Sequence, residues 1–185
     1  LITLYHLIFV VKIKNNMRVC ILGAGLSSLT LAKALVNQNI YVDLYAQKKI
    51  NSLNKSRTIG ISKSNIEFFN DAIINVDKIA WKLKKIEIFS DNLRKEKLIN
   101  FENNKNVLFS IIKNENLFDV LEKSLSKDKY FKKINSLKNY DFLDNYNLVI
   151  NTDFTSPITK KYFSKKILKK YNSFAYTTIL KHEKI

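Results

Sequence analysis

The segment Gly23-Ala-Gly25-Leu26-Ser27-Ser28 fits the pattern G-x-G-x-x-S and holds the residues best suited to chemistry. In this pattern the first glycine makes a tight turn and the second lets a pyrophosphate approach the backbone. The third position needs a small side chain for close packing of a helix on a strand. The N–H groups that open the following helix, those of Leu26, Ser27 and Ser28, favour bound phosphates. The chain has only three glycines and places two of them here, which predicts a dinucleotide site.

The elements around this turn have the patterns that such a site requires. Arg18–Leu22 is a short apolar run that predicts a strand buried on both faces. Leu26–Asn37 carries apolar residues at spacings of three and four, which predicts a helix. Ile40–Tyr45 alternates like a second strand. Strand, glycine turn, helix and strand form a βαβ unit, which implies a parallel sheet and a right-handed crossover.

One expected part of a dinucleotide site is missing. The second strand of such a unit ordinarily ends in an acidic residue that accepts a hydrogen bond from a ribose hydroxyl. Ala46 occupies that position in register with Val42 and Leu44, and Asp43 is predicted to point to the opposite face. These residues alone do not separate FAD from NAD as the ligand.

The rest of the chain continues the mixture of strands and helices. Apolar alternation predicts strands at Thr58–Ser62, Lys84–Ser90, Leu98–Phe101, Val107–Ile112, Tyr146–Ile150 and Phe174–His182. Helical spacing predicts helices at Asn65–Ala72, capped by Ser62 or Ser64, at Asn116–Leu125 and at Ile158–Tyr171. The last helix would turn Phe163, Ile167, Leu168 and Tyr171 inward and lysines outward.

Composition excludes several classes of protein. A single cysteine, Cys20, excludes a disulfide framework and a cysteine-based zinc cluster, and no metal site is predicted. The formal net charge is +16, from 32 Lys plus Arg against 16 Asp plus Glu. Arginine is scarce, and lysine is spread along the whole chain beside abundant asparagine and isoleucine. We therefore interpret the charge as solvated surface lysine, and we expect no specific nucleic-acid partner.

We expect the reading frame to start too early and to end too soon. Residues 1–16 precede Met17, the only methionine, and contain an apolar run too short to span a bilayer. We expect this segment to be an upstream extension, with a membrane anchor as the alternative. The chain stops three residues after the predicted strand Phe174–His182. We therefore expect residues 17–185 to be one folded part whose C-terminal half is missing.

From Met17 onward, segments of the chain match one protein family in order and spacing. They are Met17–Gly25, Arg57–Ser62, Ile86–Asp91, Ile111–Leu117, Leu148–Asp153 and Tyr171–Glu183. With them the chain resembles the N-terminal half of FAD-dependent aromatic hydroxylases, above all the ubiquinone-biosynthesis hydroxylases, which are related to p-hydroxybenzoate hydroxylase. This resemblance implies an α/β Rossmann-like FAD/NAD(P)-binding fold with a parallel sheet. It also implies the start of an inserted, β-rich substrate region.

The same resemblance implies an activity and a set of residues. NAD(P)H would reduce FAD, and oxygen added to the flavin would hydroxylate an electron-rich ring. Gly23, Gly25 and Ser28 would hold the pyrophosphate, Arg57 would reach the phosphate or ribityl side, and Asp153 would lie where flavin and nicotinamide meet. No catalytic base can be named. The chain departs from the family at Ala46, at Phe154, which replaces a glycine after Asp153, and at Pro157, which stands near an expected serine.

Two functions follow as hypotheses. The first is the FAD-binding part of a monooxygenase for an aromatic or quinone-precursor molecule, with NAD(P)H as co-substrate, in ubiquinone biosynthesis. The alternative is a non-catalytic or divergent dinucleotide-binding module, which Ala46 and Phe154 motivate. We expect a cytoplasmic protein. The lysine-rich helix predicted at Ile158–Tyr171 leaves open peripheral contact with the inner surface of a membrane, although a solvated face is the simpler interpretation.

Overall fold

A computed structural model describes the fold over residues 17–46, 57–91, 96–102, 107–135, 141–153, 156–162, 167 and 169–174. Residues 1–16 and Phe154 lie outside these ranges, as does the strand predicted at Phe174–His182 apart from its first residue. Within the described residues no helix is both long and apolar enough to cross a bilayer.

A parallel sheet organises the N-terminal βαβ unit, as the sequence predicts. Its strands are β1 (Arg18–Leu22), β2 (Tyr41–Tyr45), β8 (Phe131–Ile134) and β9 (Leu148–Asn151). They lie in the order β8-β2-β1-β9, and every neighbouring pair is parallel. In chain order this is 3-2-1-4, the arrangement of dinucleotide-binding sheets. The predicted α/β Rossmann-like fold is confirmed.

Two helices cover one face of this sheet. Helix α1 spans Leu26–Val36, and helix α3 spans Asn114–Leu125. Helix α1 buries Leu29, Ala32 and Val36, and α3 buries Leu117, Leu121 and Leu125, in one core with the β-branched and leucine side chains of β1 and β2. The three- and four-residue spacing of these side chains is why both segments are helical. Asn39 ends the α1 region with a positive φ of 59°, a conformation that asparagine tolerates.

A smaller hydrophobic cluster packs on the opposite face of the sheet. A 3₁₀ helix at Asp141–Asn145 and a short helix α4 at Pro157–Tyr162 bring Phe142, Tyr146 and Ile158 against Cys20 and Tyr45. Cys20 is fully buried, as predicted, and burial together with the charge of Asp43 raises the pKa of its thiol to about 12.

Two antiparallel units occupy the middle of the chain. Strands β3 (Thr58–Ser62), β4 (Ala80–Leu83) and β7 (Phe109–Lys113) form a sheet in the order β3-β7-β4. Strands β5 (Lys85–Phe89) and β6 (Lys97–Glu102) form a hairpin. Between β3 and β4 lies helix α2 (Lys63–Phe68), which continues as a π-helical turn at Phe69–Ile73. Ser62 caps α2 by accepting a hydrogen bond from the Asn65 N–H, at 3.4 Å.

The helix predicted at Ile158–Tyr171 is wrong at its C-terminal end, and Phe163 and Leu168, which were expected to point inward, lie outside the described residues. Helix α4 ends at Tyr162, and the described residues 167 and 169–171 are not helical. Ile167 and Tyr171 were expected to point inward, but they are 104% and 71% exposed. Because both side chains are exposed, they add no apolar packing that would stabilise a helix. Membrane contact through a continuous basic helix therefore loses its structural basis and stays a prediction.

Sequence analysis missed strands β4 and β8. Both are short, and β8 reads Phe-Lys-Lys-Ile, with lysines that are exposed at the edge of the parallel sheet. Edge strands need only one paired side and tolerate charge, so their apolar pattern is weak.

Candidate dinucleotide site

The glycine turn lies at the carboxyl edge of the parallel sheet. It follows β1 directly, and the segment after β9, its other neighbour in the sheet, approaches it. Strand order reverses at β1, because the next strand in the chain lies on one side and β9 on the other. Ligands of open α/β sheets bind in the crevice at such a switch point. The structure thus places the predicted motif at the switch point, the position where open α/β sheets bind ligands.

Gly23 is required by the packing of the turn itself. Its φ is +138°, a conformation that other residues rarely adopt. A Cβ atom built there would lie 2.1 Å from Thr152 Oγ1 and 2.8 Å from Ser28 Oγ. Its N–H donates to the Tyr45 carbonyl at 3.0 Å, which holds the end of β1 to the end of β2. Gly23 is therefore a structural residue of the site.

Gly25 has the opposite surroundings. Its backbone is extended, with φ −86° and ψ 179°, and a Cβ atom there would have no neighbour within 4 Å. It is exposed and stands at the N-cap of α1, where no side chain caps the helix. The space beside Gly25 is thus free for a ligand to approach the backbone, and the first turn of α1 carries no acidic residue to repel an anion.

The first three residues of α1 differ in what their side chains do. Leu26 is half-buried and packs against the main core, so only its backbone can serve a ligand. Ser27 is exposed at the crevice. Ser28 is fully buried, and its hydroxyl lies 2.6 Å from Thr152 Oγ1. The predicted role of Ser28 as a small packing residue is consistent with this geometry, and the hydrogen bond adds to it.

Thr152 was missed by the sequence analysis. Its N–H and its hydroxyl both donate to the Leu22 carbonyl, at 2.8 Å and 3.0 Å. The signal in the sequence is faint: a hydroxyl residue follows a buried apolar run at the carboxyl end of a parallel strand. No sequence pattern identifies its partners, because Leu22 and Ser28 lie more than a hundred residues earlier.

The backbone of Asp153 is held in place next to Thr152. Its N–H donates to Asn151 Oδ1 at 3.0 Å, and its carbonyl accepts from the Thr159 hydroxyl at 2.8 Å. Asp153 is half-buried at the same edge of the sheet as the glycine turn. The structure therefore brings Asp153 to the edge that carries Gly23 and Gly25.

Ala46 and Asp43 take the orientations that the alternation predicts. Ala46 is buried directly after β2, and its N–H donates to the Ile134 carbonyl at 3.0 Å. Asp43 faces the other side of the sheet, where it accepts a 2.5 Å hydrogen bond from the Tyr146 hydroxyl and lies 3.7 Å from Arg18 Nε. Burial, followed by the hydrogen bond to Asp43, raises the pKa of Tyr146 well above its usual range. Asp43 is therefore committed to a structural contact.

Arg57 lies on a different element from the glycine turn. It is exposed just before β3, and its carbonyl accepts from the Asn114 N–H, at 3.0 Å, where α3 begins. Asn114 Oδ1 is buried and has no hydrogen-bond partner among the described residues. A buried acceptor of this kind is uncommon and calls for an explanation such as an absent donor.

Comparison with solved structures identifies the class of fold. The chain is similar to PqsL from Pseudomonas aeruginosa, which is described as a probable FAD-dependent monooxygenase, with a TM-score of 0.62 and 13% identity. It is also similar to a protein from Photorhabdus luminescens described as a putative FAD-containing monooxygenase, with a TM-score of 0.60 and 16% identity. A third similar structure is the p-nitrophenol 4-monooxygenase PnpA from Pseudomonas putida, with a TM-score of 0.53 and 12% identity.

These matches cover most of this chain but only part of the others. The aligned regions are 85%, 80% and 64% of this chain, and 48%, 43% and 31% of the respective structures. The chain thus spans about half the length of PqsL and less than half the length of the other two structures. No family model matches the sequence, and no curated protein matches it. The resemblance to FAD-dependent monooxygenases is confirmed at the level of the fold.

Proposed function

We propose that this chain is the FAD-binding part of a flavin-dependent monooxygenase that acts on an aromatic ring. The observation that carries the proposal is the turn with an open Gly25, placed at the switch point of a sheet whose fold is shared with FAD-dependent monooxygenases. An open backbone next to an uncapped helix suits a pyrophosphate, which is the part common to all dinucleotides.

The residues around the turn would have different roles in binding FAD. The N–H groups of Leu26 and Ser27 would face the pyrophosphate beside Gly25, while Gly23 and Ser28 keep the turn in shape. Arg57 would supply a positive charge toward the phosphate or ribityl side. Asp153 would stand at the junction of flavin and nicotinamide. When bound, FAD supplies the redox and oxygen chemistry, with NAD(P)H as the proposed reductant.

Asn114 joins this proposed site through its buried carbonyl oxygen. Oδ1 of Asn114 lacks a hydrogen-bond donor in the described structure, and its backbone is bonded to that of Arg57. A ligand donor would reach this oxygen only once the Asn114 side chain has turned out of its buried position. We propose Arg57 and Asn114 as neighbours on one side of the cofactor.

The substrate class is proposed from two kinds of support. PqsL has a structure in complex with 2-aminobenzoylacetate, and PnpA is named for p-nitrophenol, so similar folds accept aromatic molecules. A quinone precursor in ubiquinone biosynthesis is the finer proposal, and it rests on the sequence resemblance alone. Peripheral contact with a membrane would suit such a substrate, but the basic helix from which it was predicted does not extend to Tyr171.

A second function is favoured by a specific residue. Ala46 is buried at the position where a dinucleotide fold ordinarily offers an acidic group to the ribose. A divergent dinucleotide-binding module without catalysis would explain why no acidic residue is present at this position.

Titration of the purified chain with FAD, NADH and ADP tests the proposal. We expect FAD to bind, seen as a change in flavin fluorescence, and ADP to compete for the same site. Binding of NADH but not FAD would favour the divergent module, and no binding of any of the three would overturn both functions. For the natural full-length protein, NAD(P)H-dependent oxygen uptake with an aromatic substrate separates the monooxygenase from the module.

A further inference from the structure

A chain of hydroxyl groups lies beside the glycine turn and joins it to the residue that follows β9. Ser28 Oγ and Thr152 Oγ1 are 2.6 Å apart, and Thr152 Oγ1 is 3.0 Å from the Leu22 carbonyl oxygen. A carbonyl oxygen can only accept, so the single hydroxyl proton of Thr152 goes to Leu22. Ser28 is then the donor to Thr152. The direction of both hydrogen bonds follows from this, running from Ser28 through Thr152 to Leu22.

These bonds connect the two walls of the crevice. Leu22 and Ser28 belong to the β1–turn–α1 unit, whereas Thr152 follows β9 on the other side of the switch point. The Leu22 carbonyl also receives the Thr152 N–H at 2.8 Å, so the peptide before Gly23 is held by two donors. Ser28 is fully buried, and without Thr152 its hydroxyl would lose the partner that the structure shows.

We propose that Thr152 is a positioning residue for the dinucleotide, acting through Ser28 and Leu22. This inference rests on the proposed function, because it concerns the same binding site. The hydroxyl of Thr152 fixes the peptide that enters the turn and the helical turn that leaves it. The N–H groups of Leu26 and Ser27 lie between these two fixed points. Their alignment toward a pyrophosphate therefore depends on a side chain that belongs to neither the glycine motif nor α1.

The contact between Thr152 and Gly23 supports the same assignment. Thr152 Oγ1 lies only 2.1 Å from where a Gly23 Cβ would be, so the hydroxyl fills that side of the turn. The side beside Gly25 has no neighbour within 4 Å. Thr152 thus closes one side of the turn and leaves the Gly25 side as the approach for phosphate.

Affinity for ADP and FAD in four variants of the chain tests this role. Thr152→Val keeps the shape of the side chain but removes both hydroxyl bonds, and we expect affinity to fall about tenfold. Thr152→Ser keeps the hydroxyl and is expected to bind within about twofold of the unmodified chain. Ser28→Ala removes only the donor to Thr152 and should fall in between. Thr30→Val makes the same chemical change within α1, outside the hydroxyl chain, and serves as the control.

A merely structural role would give a different result. Thr152→Val would then lower the thermal unfolding midpoint while the folded protein bound ADP as tightly as before, and that outcome overturns the inference. If Thr152→Val does not fold, Ser28→Ala decides: weaker binding supports the inference, and unchanged binding overturns it. If the unmodified chain binds none of the nucleotides, the proposed function fails first and the inference falls with it.

Discussion

At the scale of single residues, the two glycines of the motif have separable tasks. Gly23 stands in a backbone conformation that side chains avoid and has Thr152 directly against it. Gly25 has ordinary dihedral angles and open space. The motif requires glycine at both positions, but for different reasons. Gly23 is needed for the fold, whereas Gly25 leaves its backbone free for a ligand.

Replacing Gly23 by alanine should destabilise the fold. The new methyl group would collide with the Thr152 hydroxyl at 2.1 Å, in a strained backbone conformation. We expect a loss of about 2–4 kcal/mol in the free energy of unfolding, measured by denaturant titration followed by circular dichroism. A stability equal to that of the unmodified chain would show that the turn is looser than described.

Replacing Gly25 by alanine should leave the fold nearly intact and weaken nucleotide binding. The methyl group meets no atom within 4 Å, and the cost is limited to about 1 kcal/mol from a poorer N-cap. The same methyl would occupy the proposed approach of the pyrophosphate, so FAD or ADP affinity should fall at least about tenfold. Calorimetric titration beside a thermal melt measures both effects. Unimpaired binding in a folded variant would move the phosphate site away from Gly25.

At the scale of elements, a tyrosine–aspartate contact joins β2 to the chain just before β9. The Tyr146 hydroxyl donates to Asp43 at 2.5 Å and lies 3.1 Å from the Tyr45 hydroxyl. Asp43 is 6% exposed, so this contact satisfies a carboxylate that water barely reaches. It also explains why Asp43 does not replace the acid absent at Ala46.

Replacing Tyr146 by phenylalanine should therefore destabilise the protein. Asp43 would lose its closest hydrogen-bond donor, and we expect a loss of about 1–3 kcal/mol in the free energy of unfolding. Tyr130→Phe, at a half-buried ring that meets Tyr41 edge to face, is the matched control and should change stability little. Equal stability of the two variants would argue that Arg18, 3.7 Å from Asp43, is partner enough.

At the scale of the whole molecule, the net charge of +16 comes from lysines distributed over the described elements, several of which pair with Asp or Glu side chains. Lysines occur on strands, helices and connecting segments alike, and several stack on exposed aromatic rings such as Tyr162 and Tyr171. The proposed site instead depends on backbone groups and small side chains. Net charge therefore says more about the solvated surface than about function.

Any binding of this chain to nucleic acid should be weak and steeply dependent on salt. Without a dedicated site, attraction comes from counterion release, and affinity for DNA should fall by orders of magnitude from about 50 to 200 mM salt. Fluorescence anisotropy with two unrelated duplexes measures this and should give equal affinities. Sequence-dependent binding that survives the higher salt would instead indicate a true nucleic-acid site.

Much of the fold follows from the sequence because its central strands and helices carry strong periodic patterns. The run Arg18–Leu22 and the helix after Gly25 could be predicted since burial on both faces, or on one helical face, leaves a local trace. The helix predicted through Tyr171 failed because helical spacing stabilises nothing without a surface to pack on. The strand at Phe131–Ile134 escaped prediction because an edge position tolerates its lysines.

The sequence by itself determined the glycine turn, its place between strand and helix, and the absence of an acid at Ala46. Only the tertiary structure decided that Thr152 packs against Gly23, that the space beside Gly25 is free for a ligand, and that Ser28 has a hydrogen-bond partner. The physical reason is distance along the chain. Backbone conformation and periodicity are local, whereas the contact between Ser28 and Thr152 spans 124 positions and exists only once β9 pairs with β1.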